Sequence, residues 1–211
     1  MKQSNGGPSL PVDVSRETLD RLEAFADLLL RWTRTVNLIA RNDAAHIWPR
    51  HIADSLQLMP LIPPNTPRAI DLGSGAGFPG LILAIASDIP FDLVESDQRK
   101  AAFLREAVRT TGAPVRVHAT RIDATQLTPA PLITARALAP VPALLALSVP
   151  HLISQSGVCL FPKGANIESE LTAAAAQWHM RIERFPSLTA PDATLLRLSE
   201  ISRVRPSDRT P

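Results

Sequence analysis

The sequence predicts an α/β chain: a doubly wound, mostly parallel, Rossmann-like sheet with a helical extension at its N-terminus. Three observations carry this. From residue 68 onward short apolar strands alternate with helical stretches, a pattern that gives a parallel sheet covered by helices on both faces. A glycine-rich turn joins the first strand of that series to its first helix. Residues 15–64, before the series, show helical periodicity and no strand pattern. The chain therefore divides into a disordered N-terminus (1–14), a helical extension (15–64), an α/β domain (65–204) and a disordered tail (205–211), both ends carrying Gly or Pro without periodicity.

Each element has a local cause. Ser15 is a good N-cap for a helix running to about Trp32, with Glu17 in its first turn and Leu19, Leu22, Phe25, Ala26, Leu29 and Leu30 at helical spacing. A second helix is expected from Asn42 to Leu61, bent near Pro49, before a Pro-rich link over 60–67. Arg68–Leu72 is the first strand, and the helix after the glycine turn includes Leu81–Ala86. Phe91–Glu95 is the second strand, and Asp97 caps a helix over 98–111. Val115–His118, Leu132–Arg136 and Gly157–Phe161 continue the sheet, with a helix from Val141 to His151 between the last two. A helix over 165–177 and strands near 180–185 and 193–201 complete the chain.

Composition excludes several classes. At 211 residues, 45% hydrophobic and 20% charged, the chain suits one globular domain with an extension. Its one cysteine, Cys159, forbids an internal disulfide and, within apolar Gly157–Phe161, reads as a core residue. The first residues lack the apolar core of a signal peptide, and no run of 18 apolar residues exists, so a cytoplasmic protein without a membrane span is expected. No His/Cys/Asp cluster has metal-ligand spacing, and His46 and His51 read as surface or packing residues. Net charge is only +2. Its distribution is uneven: Arg31, Arg34, Arg41, His46, Arg50 and His51 share a segment whose one acid is Asp43. Arg99, Lys100, Arg105, Arg109, Arg116, His118 and Arg121 form a second basic region. Such patches attract phosphate backbones, though charged helix faces are also common without that role.

The strongest local signal is Asp71-Leu72-Gly73-Ser74-Gly75-Ala76-Gly77-Phe78-Pro79-Gly80, placed where a doubly wound sheet binds ligands. Two cofactors compete for it. Gly75-x-Gly77-x-x-Gly80, with Glu95 downstream, matches a dinucleotide fingerprint. An acid ending the first strand followed by Gly73, Gly75 and Gly77 matches the S-adenosylmethionine pattern instead. A dinucleotide needs its pyrophosphate at the helix N-terminus. S-adenosylmethionine has no phosphate, and its cationic sulfonium and amino group favour a carboxylate such as Asp71. Glu95 can accept from ribose hydroxyls in either case. Asp71 therefore favours methyl transfer over hydride transfer.

Three later positions extend the site. Arg121-Ile122-Asp123 follows the third strand, where an adenine would lie; the plainer reading is a surface turn. Arg136 ends the apolar run Leu132–Ala135, and a guanidinium there suits a cofactor carboxylate, an acceptor base, a phosphate or a structural salt bridge. Lys163, in Phe161-Pro162-Lys163-Gly164, is one of three lysines in the chain, suited to an RNA phosphate or to a solvated turn.

Taken in order and spacing, these segments resemble the bacterial 16S ribosomal RNA guanine-N7 methyltransferase family, RsmG, also called GidB. The resemblance runs from about Leu28 to Gly164. It rests on Trp32 with Asn37-Leu38, His51-Ile52-Ala53-Asp54-Ser55, Asp71 to Gly80 with its Phe78-Pro79-Gly80 ending, Arg99-Lys100 with Phe103-Leu104-Arg105, Arg121-Ile122-Asp123, Ala135-Arg136-Ala137 and Pro162-Lys163-Gly164. It implies a class I S-adenosylmethionine-dependent methyltransferase acting on N7 of a guanine in 16S rRNA, with the small ribosomal subunit or its RNA as partner. It implies cofactor contacts at Gly73, Phe78, Ile122, Asp123 and Arg136, Glu95 at the ribose, and Arg136 and Lys163 as the catalytic, RNA-facing pair. The family often has Glu where this chain has Asp123, Ser at Ala135 and Leu at Pro162; the shorter Asp123 carboxylate makes its backbone the expected contact. The alternative is a class I methyltransferase acting on another RNA, a protein or a small molecule. A monomer without a metal is expected.

Overall fold

The structure, a computed structural model, describes residues 10–153 and 156–205. The disorder expected over 1–9 and 206–211 lies outside these residues. Residues 10–14, also expected to be disordered, are irregular coil, but Leu10 and Val12 pack against the core, since their apolar side chains gain by leaving water.

Helix α1 spans Arg16–Thr33, and Ser15 Oγ accepts from Thr18 N at 3.1 Å. Its stripe Leu22, Phe25, Ala26, Leu28 and Leu29 is buried. The single bent helix expected over 42–61 is instead four short turns: 3-10 at Arg41–His46, π at Trp48–Ala53, α2 at Asp54–Leu56, and 3-10 at Met59–Leu61. Pro49 and Pro60 explain the breaks. Each lacks an N–H, and its ring crowds the carbonyl four residues back, so no continuous α ladder can pass through.

The sheet comprises β1 (Ala69–Leu72), β2 (Phe91–Val94), β3 (Val115–His118), β4 (Leu132–Thr134), β5 (Val158–Lys163), β6 (Trp178–Pro186) and β7 (Thr194–Arg203), in the order β3-β2-β1-β4-β5-β7-β6. The first five pair in parallel; β7 runs antiparallel to β5 and β6. The last two strands are longer than expected, with a bulge between His179 and Arg181. Strand order reverses between β1 and β4, so the crevice beyond their carboxyl ends is the ligand position of such a sheet.

Helices α3 (Gly80–Ser87) and α4 (Gln98–Thr111) cover one face with the extension, and α5 (Val141–Ser148) and α6 (Ile167–Ala175) cover the other. Asp97 Oδ1 caps α4, accepting from Arg99 N and Lys100 N. Leu22, Phe25 and Leu29 share one core cluster with Leu81, Ile85 and Phe103, so the extension is built into the sheet's core. Phe25 lies 6.1 Å from Phe103 between ring centroids. Cys159 is fully buried in the second cluster, and burial pushes its thiol up to about 12, as suits a core residue. Among the described residues, no helix is long and apolar enough to cross a membrane.

Candidate active site

The glycine loop is fastened from behind. Gly73 N and Ser74 N both donate to Val94 O at the end of β2, at 2.9 and 3.1 Å. Gly75 N donates to Glu95 Oε2 at 2.8 Å, and Asp97 N donates to Glu95 Oε1 at 2.7 Å. One carboxylate thus holds both the loop and the start of α4. Gly73 has φ +67°, and a Cβ on it would lie 2.7 Å from Leu138 Cδ1. A Cβ on Gly80 would lie 2.4 Å from Asp71 Cβ, so only glycine lets α3 start directly on the end of β1.

Asp71 sits beneath this loop and is fully buried. Its Oδ1 accepts from Thr134 Oγ1 at 2.5 Å, while Oδ2 is buried without a hydrogen-bond partner. Desolvation pushes its carboxyl up to about 6, against the lowering effects of Ser74, Thr134 and Arg136.

In front of the loop, a cavity of about 430 Å³ opens beyond the carboxyl ends of β1 to β4. Gly73, Gly75, Glu95, Ile122, Asp123 and Arg136 all line it, drawing together residues from four separate strand ends. Asp71, Gly77 and Phe78 do not line it. Gly77 faces Leu81 and Leu104 instead. The carboxylate of Asp123 is exposed and paired with Arg121, at 3.0 and 2.9 Å through both oxygens. Lys100, quoted in the sequence among basic residues, is also a wall of this cavity, as is Leu138, which no motif singled out.

A second cleft, of about 610 Å³, shares Arg136 and Ala137 with the first. Arg136 Nη1 donates to Asp54 Oδ2 at 2.9 Å and to Arg50 O at 3.3 Å; Nη2 donates to His51 Nδ1 at 3.0 Å. Its guanidinium lies 4.9 Å from the Phe78 ring centroid. Phe78 in turn stacks on His51 and meets Phe25 edge-on. Phe78, expected at the cofactor, is therefore the platform under Arg136. Burial and the Arg136 charge hold the His51 imidazole below its usual pKa against the pull of Asp43, which keeps Nδ1 free to accept. His51 Nε2 lies 3.3 Å from Asp43 Oδ2 but without hydrogen-bond alignment.

Asp54 was quoted in the sequence only as part of a motif. Here it is a hub: besides Arg136, its Oδ1 accepts from Gln57 Nε2 at 2.8 Å and Thr189 Oγ1 at 2.7 Å. Gln57 also accepts from Leu188 N at 2.8 Å, tying the β6–β7 turn to the extension. Lys163 lines the second cleft, but its ammonium is not a free cation. It pairs with Glu170 Oε2 at 2.7 Å and donates to Ala139 O at 3.0 Å. Its rarity among the cations and its place at the end of the fifth strand signalled function; nothing in the sequence signalled Glu170 as its partner. Among the described residues no His/Cys/Asp/Glu group could hold a metal.

Comparison with known proteins gives a consistent picture. A family model described as GidB, rRNA small subunit methyltransferase G, matches residues 18–195. The chain is 57% identical over 191 residues to the ribosomal RNA small subunit methyltransferase G of Granulibacter bethesdensis, covering 90% of this chain and 89% of that one. It is 56% identical over 215 residues to that of Acidiphilium cryptum, covering 95% and 99%. Among solved structures, a ribosomal protein L11 methylase from Lactobacillus delbrueckii superposes with a TM-score of 0.57 at 15% identity, over 74% of this chain and 79% of that one. A Bacillus cereus O-methyltransferase superposes with a TM-score of 0.55 at 11% identity, over 90% and 93%. At such identities these two show the fold, the Rossmann-like methyltransferase sheet.

Proposed function

The chain belongs to the rRNA small subunit methyltransferase G family, and from that premise we propose that it transfers a methyl group from S-adenosylmethionine to N7 of a guanine in the 16S RNA of the small ribosomal subunit. The observation that carries this reading is the meeting of two cavities at Arg136 and Ala137, just past β4. One suits a nucleoside cofactor and the other a base presented by a large substrate.

The residues fit the cofactor. Each oxygen of Glu95 already accepts from one backbone N–H and keeps a second lone pair, enough for two ribose hydroxyls. Gly73 and Gly75 present bare backbone to the cavity, and the Ile122–Asp123 backbone suits the adenine edge. Asp71, buried beneath the loop and outside the cavity lining, makes no direct contact with the cofactor and supplies only negative charge from beneath. S-adenosylmethionine supplies an electrophilic methyl group when bound there.

Guanine N7 carries an in-plane lone pair, so no proton has to leave before attack, and the site needs no general base. Its work is orientation. Arg136, locked by Asp54, His51 and Phe78, forms the wall that fixes where the base can lie. The reaction carries one positive charge from sulfur to the purine ring. A strongly cationic cleft would oppose that transfer. Asp54 and Glu170 offset Arg136 and Lys163, which keeps the cleft near neutrality. Exposed Arg31, Arg34 and Arg105, which have no acidic partner among the described residues, are then the phosphate contacts. A ribosomal substrate places the activity in the cytoplasm.

The test is transfer of label from radiolabelled S-adenosylmethionine to small subunits lacking the modification, followed by digestion of the RNA. The expected product is 7-methylguanosine in 16S RNA. Binding of S-adenosylmethionine with label in another nucleoside, in protein, or nowhere would overturn the acceptor.

A further inference from the structure

Lys163 ends β5, and a lone lysine at the mouth of an RNA-modifying site invites a phosphate contact. Its surroundings contradict this. The side chain is only 11% exposed, and Nζ is held by Glu170 Oε2 and Ala139 O. Glu170, on α6, uses the same Oε2 to accept from Val141 N at 2.9 Å. That N–H opens α5, whose cap residue Pro140 offers no side-chain acceptor, so Glu170 caps α5 from another helix. The pair thus grips both ends of the short stretch Ala139–Val141.

This stretch directly follows the wall shared by the two cavities. That wall includes Ala137, whose φ of +52° is unfavourable for a residue with a Cβ and persists only where neighbours hold it. Leu138 follows and lies where a Cβ on Gly73 would go, pressing against the glycine loop. Ala137 and Leu138 line the cofactor cavity; Ala137, Lys163 and Glu170 line the cleft.

We propose that Lys163 and Glu170 form a charge-neutral clasp that positions Ala137–Val141 against the glycine loop, so that Lys163 is a positioning residue for both cavities and not a phosphate-binding cation. The proposal rests on the methyl-transfer reading of the site. It differs from a phosphate role in one sharp respect: Glu170 should be needed as much as Lys163. Were Lys163 a phosphate ligand, removing Glu170 would free it for RNA.

The experiment compares the full chain with Lys163→Met, Glu170→Gln and the double variant. S-adenosylmethionine affinity is read by calorimetry without RNA, and affinity for 16S RNA by filter binding over a salt series. Each single variant is expected to weaken cofactor binding roughly tenfold, and the double variant no further than either single, because both break one device. The slope of log affinity for RNA against log salt should stay at its wild-type value. Circular dichroism checks folding, and should a single variant unfold, Lys163→Arg and Glu170→Asp, which keep the pair, take its place; the clasp then predicts a milder loss of cofactor affinity, again shared between the two. The proposal is overturned if Glu170→Gln binds cofactor normally and RNA more tightly, or if Lys163→Met alters only RNA binding and lowers the salt slope by about one. A wild-type chain that binds no S-adenosylmethionine would instead refute the functional reading, before any variant is compared.

Discussion

The cofactor cavity draws all its walls from residues 73–147, and its central polar contact joins Gly75 to Glu95, 20 residues apart. The cleft on the other side of Arg136 is assembled from far more scattered chain: Arg50 to Asp54, Arg136 and Ala137, Pro162 to Glu170, and Thr189 to Ala193. Asp54 meets Arg136 across 82 residues and Thr189 across 135. The first cavity is a local product of strand–turn–helix units. The second exists only once the extension, the end of β5 and the β6–β7 turn have docked on one another. Damage to the first should therefore abolish cofactor binding in the isolated protein, and damage to the second should spare it and show only with the ribosomal substrate, except at the Lys163–Glu170 pair, which reaches the first cavity through Ala137–Val141.

The largest expected effect lies in the first cavity. Gly73→Arg adds a side chain where φ is +67° and where even a Cβ would lie 2.7 Å from Leu138 Cδ1. The new side chain must fill the cavity or displace Leu138. Cofactor affinity should fall more than roughly a thousandfold, a cost of about 4 kcal/mol, while circular dichroism stays native. Calorimetry with S-adenosylmethionine reads this directly, and near-normal affinity would mean the cavity has been misassigned.

Beneath the same loop, Asp71 makes a prediction about pH. Its carboxyl is raised from 3.8 to about 6 in the folded chain, with burial as the main cause. The folded state thus holds this proton more tightly than the unfolded state. The associated stability is fully present below pH 3.8 and is lost as pH rises through 6. At 1.36 kcal/mol for each pH unit between the two values, the loss is about 3 kcal/mol. Asp71→Asn cannot ionise and should not show it. In urea unfolding, the variant's stability relative to wild type should improve by about 2 kcal/mol between pH 4 and pH 7.5, the rest of the loss having occurred below pH 4. A constant difference across that range would mean that Asp71 is not titrating as a buried acid.

How far the sequence could be read follows the same division. Ser15 and Asp97 announce caps through the chemistry of their own side chains, and the glycine loop announces a close approach of backbone to ligand. Glu95 and Ile122–Asp123 are legible because strand ends are. Phe78 was expected at the cofactor, and its ring packs against Phe25, His51 and Arg136, partners that only the folded chain brings together. Helical periodicity over 42–61 concealed how Pro49 and Pro60 would divide it. Asp54 and Glu170 were invisible as site residues because each becomes functional through a pairing that no local pattern encodes.

Asp54→Asn tests the second cavity on its own. It keeps an oxygen for Thr189 and removes the charge facing Arg136. On the reading that Arg136 orients the acceptor, loosening its guanidinium should lower turnover on unmodified subunits about thirtyfold, near 2 kcal/mol of transition-state free energy, with cofactor affinity altered less than about threefold. Equal loss of cofactor affinity and turnover would show that the two cavities are not separable at Arg136.

The smallest effect sharpens the comparison from within the first cavity. Asp123 lines it, yet both carboxylate oxygens are engaged by Arg121 at the surface, and that pairing holds its pKa below the usual carboxylate range. An exposed pair of this kind contributes little to stability. If the Asp123 backbone and not its side chain meets the adenine, Asp123→Ala should leave the melting temperature unchanged and weaken S-adenosylmethionine binding by less than about threefold. Asp123→Pro removes the backbone N–H at the same position and should cost more than Asp123→Ala. The reverse order, with Ala worse than Pro, would assign the contact to the carboxylate and make the Arg121 pair one that the cofactor must break.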